Sequence, residues 1–200
     1  MFNNVSAAII AGGKSRRFGA PKTQAVLREQ TLLEHAVRFA YNLSGRVHII
    51  GDLGFPARPG LSIHKDIVSG CGPVCGIYTA LHFLENDWLA VMPVDMPALH
   101  PSIYRFLYPL AKHGRPVVAL SHKGMEPLVS LWPRTALSAF EQAIAQKQYR
   151  LYKILEQLRA VEAPLVQSMP DYDPEWFVNI NYKQDLAQLI QGKSAAGQKF

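Results

Sequence analysis

Residues 5–22 read V-S-A-A-I-I-A-G-G-K-S-R-R-F-G-A-P-K, and the rest of the chain is best interpreted outward from them. The apolar run over 5–11 predicts an opening strand that ends in the glycine pair Gly12 and Gly13. Glycines let backbone N–H groups approach a ligand closely, and successive N–H groups form a concave anion site. Four cations suited to phosphate oxygens follow: Lys14, Arg16, Arg17 and Lys22. The stretch predicts a phosphate-binding loop, and a plain glycine turn before a solvated basic loop is the alternative.

Strand and helix patterns alternate along the chain. Strands are predicted at 5–11, 46–50, 61–64, 88–92, 116–121, 128–132 and 161–166. Helices are predicted at 31–43, 74–85, 101–112, 135–146, 150–158 and 183–190. Several strands are apolar without alternation, as expected of strands buried on both faces. We therefore expect one α/β domain over residues 1–191, three-layered and Rossmann-like with a mostly parallel doubly wound sheet, followed by a disordered tail at 192–200.

Composition narrows the class of protein. The chain has 200 residues, is 48% hydrophobic and carries a formal charge of +6. No run approaches the roughly 20 apolar residues that span a bilayer, and the N-terminus lacks the basic segment of a signal peptide. No basic stripe is interleaved with aromatic residues, so an anionic small molecule explains the charge better than nucleic acid does. We expect a cytoplasmic monomer that binds neither membrane nor nucleic acid.

The two cysteines share one glycine-rich segment, G-C-G-P-V-C-G at 70–76. Their C-x-x-x-C spacing comes without a second ligand pair, which argues against a zinc site. We expect Cys71 and Cys75 to be reduced, non-catalytic thiols, as is usual in the cytosol.

A Walker-type phosphate loop is a competing interpretation of the opening, because A-I-I-A-G-G-K-S at 8–15 nearly fits G-x-x-x-x-G-K-S. That motif requires a loop where this chain has its most strand-like residues, and a helix where Gly19 and Pro21 would break it. The G-x-G-x-x-G dinucleotide motif is absent from the sequence. Neither motif explains the stretch.

Two acidic residues follow predicted strands. Asp95 lies in V-M-P-V-D-M-P (91–97), at the carboxyl end of a predicted strand, where open α/β sheets bind ligands. One such carboxylate beside bound phosphates is what Mg²⁺ requires, and a helix cap or turn residue is the alternative. Asp66 precedes the glycine-rich loop 69–76, which leads into a predicted helix.

Five motifs occur in order: A-G-G-K-S-R-R-F-G-A-P-K, D-I-V-S-G-C-G-P-V-C-G, P-V-D-M-P, E-P-L-V-S-L-W and N-I-N. Together they resemble the molybdenum cofactor guanylyltransferases, within the wider nucleotidyltransferase superfamily, over residues 5 to 190. The resemblance implies an enzyme that transfers GMP from GTP to molybdopterin with Mg²⁺ and releases pyrophosphate. Other cofactor-biosynthesis proteins, molybdoenzymes or their chaperones are implied as further partners.

The resemblance also implies residue roles. The nucleotide would contact Ile10, Ala11, Gly12, Gly13 and Asp66, and Gly12 favours GTP because cytidylyl-transferring relatives carry alanine there. Catalytic roles fall on Arg17 and Lys22, which would bind the triphosphate, and on Asp95, the implied metal ligand and a nucleotide contact. Asn179 and Asn181 match a late N-x-N motif on the acceptor side.

The sequence departs from the family pattern at several positions, and these bear on the identity of the acceptor more than on that of the nucleotide. Pro21 replaces a common aspartate, Ser130 replaces glycine, and N-x-N-T-P-E-D continues here as N-I-N-Y-K-Q-D. Two alternatives stay open. One is cytidylyl transfer to a cofactor or isoprenoid precursor on the same fold, and the other is a catalytically silent nucleotide-binding module.

Overall fold

The opening strand, β1 (Val5–Ile10), lies inside a sheet, and all six of its residues are buried. The structure is a computed structural model that describes residues 2–12, 21–112, 114–182 and 184–186. The strands that follow are β2 (Val26–Leu27), β3 (Gln30–Thr31), β4 (Val47–Ile50), β5 (Leu61–His64), β6 (Trp88–Pro93), β7 (Val117–Ser121), β8 (Gly124–Pro133) and β9 (Val161–Pro164). In the described part of the chain, seven of these strands form one sheet in the order β5-β4-β1-β6-β8-β7-β9.

Helices connect most of these strands. They are α1 (Leu32–Leu43), α2 (Pro73–His82), α3 (Pro101–Leu107), α4 (Leu137–Ala145), α5 (Leu151–Gln157) and α6 (Leu165–Ser168). Short 3₁₀ helices lie at Lys22–Gln24, Tyr108–Leu110, Arg134–Ala136 and Pro174–Phe177. Four of the five helices predicted before residue 160 are observed within about three residues of their predicted bounds. The helix predicted at 101–112 ends earlier, at Leu107, and continues as a 3₁₀ helix to Leu110. The helix predicted at 183–190 lies mostly outside the described residues, as does the tail at 192–200.

The direction of the strands confirms the prediction of a mostly parallel α/β sheet. β1 pairs in parallel with β4 and β6, and β4 pairs in parallel with β5. Of the seven strands in the described part of the chain, β8 alone runs the other way, antiparallel to both β6 and β7. The carboxyl ends of β5, β4, β1 and β6 therefore meet at one edge, where ligands bind in open α/β sheets.

Both faces of the sheet are covered, which explains why β1 is apolar without alternation. Ala7 and Ile9 pack into the core layer that includes α1 and α3. Ala8 and Ile10 point the other way, into the layer that includes α2, α4 and α5. Successive side chains of a strand point to opposite faces, so burying both requires an unbroken apolar run.

The structure differs from the predicted pattern in three places. β2 and β3 form a hairpin whose turn residues, Arg28 and Glu29, have φ of 49° and 67°. β8 begins at Gly124, four residues earlier than predicted, because a tight turn joins it directly to β7. The last predicted strand stops at Pro164, and the chain continues as α6.

The expectation of reduced cysteines is wrong for this structure, which pairs Cys71 and Cys75 in a disulfide. Cys71 precedes α2 and Cys75 lies in its first turn, with 5.3 Å between their Cα atoms. Gly72 makes this approach possible at a φ of 60°, a conformation that favours glycine. The disulfide therefore links the glycine-rich loop to the start of α2.

Candidate active site

Two predicted nucleotide contacts come together at the carboxyl edge of the sheet. The amide of Ala11 donates to the carbonyl of Ile50 at 2.9 Å, which extends the β1–β4 pairing into the glycine turn. Gly12 follows on the surface, and a Cβ added to it would lie 3.5 Å from Oδ2 of Asp66. Ile10 is buried beneath this turn. The side chain of Asp66 therefore lies beside the backbone of Gly12, as their shared predicted role requires.

Partial burial raises the pKa of Asp66 above its ordinary value. Desolvation penalises the charged carboxylate, and a ligand that donates hydrogen bonds to it would offset that cost. A ribose or base donor placed over Gly12 would meet this carboxylate.

A second group of side chains, which we call the Lys22 cluster, consists of Lys22, Asp95 and Asn181. The Lys22 Nζ lies 3.2 Å from Oδ2 of Asp95 and donates to Oδ1 of Asn181 at 2.8 Å. The Lys22 and Asp95 side chains are only 18% and 24% exposed. Two oxygen-bearing residues from distant parts of the sequence thus lie beside one ammonium group.

Each member of the Lys22 cluster is positioned by a different part of the fold. Lys22 begins a 3₁₀ helix preceded by Pro21, which fixes the backbone just before it. Asp95 belongs to the loop over residues 94–100, the Asp95 loop, which joins β6 to α3. Asn181 reaches the site because the amide of Ile180 donates to the carbonyl of Asp95 at 2.8 Å. Asn179 is half-buried in the same segment.

The oxygens of this cluster suit Mg²⁺ chemically. Mg²⁺ in phosphate-binding sites takes one or two carboxylates and completes its shell with phosphate and water oxygens. Asp95 supplies a carboxylate and Asn181 an amide oxygen, and both already face a common cation, the Lys22 ammonium. Oxygens that face an ammonium would also suit a metal ion if the ammonium moved away.

Two predicted site residues, Gly13 and Arg17, lie outside the described residues, and their roles stay predictions. Another residue, Asp185, was not anticipated. Its carboxylate accepts hydrogen bonds from the amides of Asn181 and Tyr182 at 2.6 and 2.8 Å. The signal available in the sequence was the aspartate that closes N-I-N-Y-K-Q-D, four residues after Asn181.

Comparison with known proteins assigns the chain to a class, the nucleotidyltransferases. The match is to the MobA-like NTP transferase domain, over residues 7–162. The chain belongs to that family, since the match covers most of its length. This confirms the resemblance read from the five motifs.

Individual relatives agree with the family. Probable molybdenum cofactor guanylyltransferases from Bacillus cereus and Halalkalibacterium halodurans are 25% and 28% identical to the chain. Each alignment covers 90% of this chain, with 92% and 94% of the respective relatives. The crystal structure of molybdopterin-guanine dinucleotide biosynthesis protein A from Archaeoglobus fulgidus has a TM-score of 0.78 at 25% identity, covering 94% of this chain and 98% of that one.

The same fold carries other nucleotidyl transfers. The 2-C-methyl-D-erythritol 4-phosphate cytidylyltransferase of Francisella tularensis matches with a TM-score of 0.69 at 16% identity, covering 94% of this chain and 99% of that one. At that identity the likeness concerns the fold alone.

In the part of the chain that the structure describes, no helix has the length and apolar character of a membrane span.

Proposed function

We propose that this chain transfers GMP from GTP to the terminal phosphate of molybdopterin, with Mg²⁺ as cofactor. The observation that carries the proposal is the Lys22 cluster, which lies at the same edge of the sheet as Gly12 and Asp66. A half-buried cation next to a carboxylate is suited to a triphosphate that arrives with its own metal ion. The names of the relatives point to guanine and to molybdopterin.

The reaction requires one bond to form and one to break. A phosphate oxygen of the acceptor attacks the α-phosphorus of GTP, and the bond from that phosphorus to the bridging β-phosphate oxygen breaks. Pyrophosphate leaves with the electron pair. The attacking phosphate is already ionised near neutral pH, so no residue needs to act as general base.

Both reactants are anions, so the residues act by positioning and by neutralising charge. Lys22 would exchange its contact with Asp95 for the triphosphate oxygens while keeping its contact with Asn181. The Asp95 carboxylate would then be free to hold Mg²⁺. The ion, when bound, withdraws charge from the phosphate oxygens. Asp66 and the turn over residues 10–12 hold the nucleoside. Arg17 is assigned to the triphosphate by family resemblance alone.

Cytidylyl transfer is the second candidate, because the fold also occurs in a cytidylyltransferase. Gly12 argues against cytidylyl transfer, since relatives that use CTP tend to carry alanine at this position. The proposed difference can be tested in this chain, because a methyl group on Gly12 would make only ordinary van der Waals contact with Asp66.

The test is a thermal-shift comparison of GTP, CTP, ATP and UTP with Mg²⁺, in the wild type and in Gly12→Ala. A ligand that binds the native state alone stabilises it by RT ln(1 + [L]/Kd), so the ranking of midpoints reports relative affinity. We expect the largest shift with GTP, and a smaller GTP shift in Gly12→Ala without loss of the ligand-free midpoint. Pyrophosphate release on adding molybdopterin then tests the acceptor.

Other outcomes would contradict the proposal in distinct ways. A larger shift with CTP than with GTP would favour the cytidylyltransferase candidate. Nucleotide binding without pyrophosphate release, with molybdopterin and with every other acceptor tried, would favour a silent binding module.

A further inference from the structure

We propose that Asp185 is a positioning residue that holds Asn181 against Lys22. It rests on a chain of hydrogen bonds. The Asp185 carboxylate accepts from the backbone amides of Asn181 and Tyr182 at 2.6 and 2.8 Å. The side-chain oxygen of Asn181 in turn accepts from Lys22 Nζ at 2.8 Å. Asp185 thus acts on Lys22 through Asn181.

The backbone of this segment needs such a restraint. Ile180 is fully buried against Leu27 and Leu32, and its amide is bonded to the carbonyl of Asp95. Asn181, the next residue, is exposed, so packing against the described residues does little to fix the direction of its amide side chain. The carboxylate of Asp185 supplies what packing does not, because bonds from backbone amides to a charged acceptor are stronger than neutral ones.

The consequence falls on the Lys22 ammonium. With Asn181 in place, the ammonium has an acceptor on each of two sides, one from Asn181 and one from Asp95. When Asn181 swings away, Lys22 loses one of those acceptors and its Nζ becomes more accessible. Turnover then falls because a misplaced charge stabilises the transition state less well. This last step rests on the proposed function, whereas the effect on Lys22 does not.

The first arm of the test needs no substrate. Lys22 is acetylated with a limiting amine-reactive ester in the wild type, Asp185→Ala, Asn181→Ala and the double variant. Mass spectrometry gives its rate relative to that of Lys153, an exposed lysine elsewhere in the same chain. We expect about two- to tenfold faster acetylation in each single variant, the change associated with one hydrogen bond. The double variant should be no faster than Asn181→Ala, because Asp185 acts through Asn181.

Two further variants separate positioning from general stability. Asp185→Asn keeps an oxygen that can accept from both amides, so it should restore most of the wild-type rate. Asp173→Ala is the matched control, since Asp173 likewise accepts from a backbone amide, that of Glu175 at 2.8 Å, but in another turn. It should leave Lys22 acetylation unchanged.

The second arm measures turnover with GTP in the same variants, and the two arms fail differently. Unchanged Lys22 acetylation in Asp185→Ala, or effects that multiply in the double variant, would overturn the positioning role. If Asp185→Ala changes the acetylation of Lys22 but the wild type shows no guanylyl transfer, the positioning role stands and the proposed function is overturned. Should Asp185→Ala fail to fold, Asp185→Asn and Asn181→Ala carry the comparison, and equal acetylation of Lys22 in Asn181→Ala and the wild type would overturn the role.

Discussion

Lys22 is the residue on which the candidate site converges. Its ammonium contacts a carboxylate 73 positions away and an amide 159 positions away in the sequence. Such a contact would contribute little on an open surface, but both charged side chains here are less than a quarter exposed. A cation so placed can move from Asp95 to an incoming triphosphate without a change of fold.

Replacing this cation should affect chemistry far more than folding. We expect Lys22→Met to lower turnover by about 100-fold, the usual cost of removing one positioned group that stabilises transition-state charge. The ligand-free midpoint should fall by only about 2–4 °C, which corresponds to about 1 kcal/mol for a chain of this size. Steady-state kinetics and a thermal melt measure the two effects.

The matched control is Lys153→Met, which removes a lysine whose pairing with Glu156 is exposed on α5. It should change neither turnover nor midpoint appreciably. If Lys22→Met lost stability and activity in proportion, Lys22 would be a structural residue and the Lys22 cluster a structural ion pair.

At the scale of elements, the pairing of β4 with β5 brings two histidines together. Nδ1 of His48 lies 2.8 Å from Oγ of Ser62 and 3.3 Å from Nε2 of His64. Burial, with the charges of His64 and Arg46 adding to it, lowers the pKa of His48 to about 4. Burial also lowers the pKa of His64. The surroundings of this strand pair therefore favour the neutral form of both imidazoles.

The free energy of unfolding should therefore decrease as the pH is lowered. The unfolded chain protonates His48 near pH 6.5, whereas the folded chain does so only near pH 4, so stability is present above pH 6.5 and is lost as the pH falls toward 4. The loss from His48 alone should reach about 2 kcal/mol at pH 5. Urea unfolding at pH 8 and pH 5 measures it, and His48→Phe should reduce the difference by about that amount. An equal difference in both proteins would contradict this account.

The elements that the sequence predicts well are those with a local signal. Helix α1 is observed one residue from its predicted start because Thr31 and Glu34 form a capping box, with bonds of 3.1 and 2.7 Å between their side chains and backbones. The β2–β3 hairpin has no such signal, since its turn uses Arg28 and Glu29 rather than glycine or asparagine.

The residues of the candidate site likewise differ in whether a local sequence signal predicts them. Gly12 and Asp95 are recognisable because a turn or a strand end marks them, and the roles predicted for them fit the carboxyl edge of a parallel sheet. The meeting of Asn181 with Lys22 depends instead on how the C-terminal segment returns to β6. The Cys71–Cys75 disulfide similarly depends on the backbone of Gly72. Contacts of this kind are set by tertiary structure and have no local sequence pattern.

At the scale of the whole molecule, the Lys22 cluster forms only when the segment over residues 177–182 returns to the loop that follows β6. The segment after α6 is attached at several points. Lys123 Nζ donates to the carbonyl of Phe177 at 2.5 Å, and the side chain of Phe177 is buried in the main core. Ile180, the residue before Asn181, then packs with Leu27 and Leu32 in a small separate cluster. Folding of this segment and assembly of the site are therefore coupled.

Ile180→Ala should test this coupling. Removing a buried isoleucine side chain costs about 2–5 kcal/mol, and we expect the midpoint to fall accordingly. Turnover should fall more than about tenfold even well below the midpoint, because the segment that carries Asn181 loses its apolar anchor. Ile154→Ala, in the buried face of α5 on the other side of the sheet, should cost similar stability but retain turnover at that temperature. Equal turnover in the two variants would mean that the returning segment stabilises the fold without organising the site.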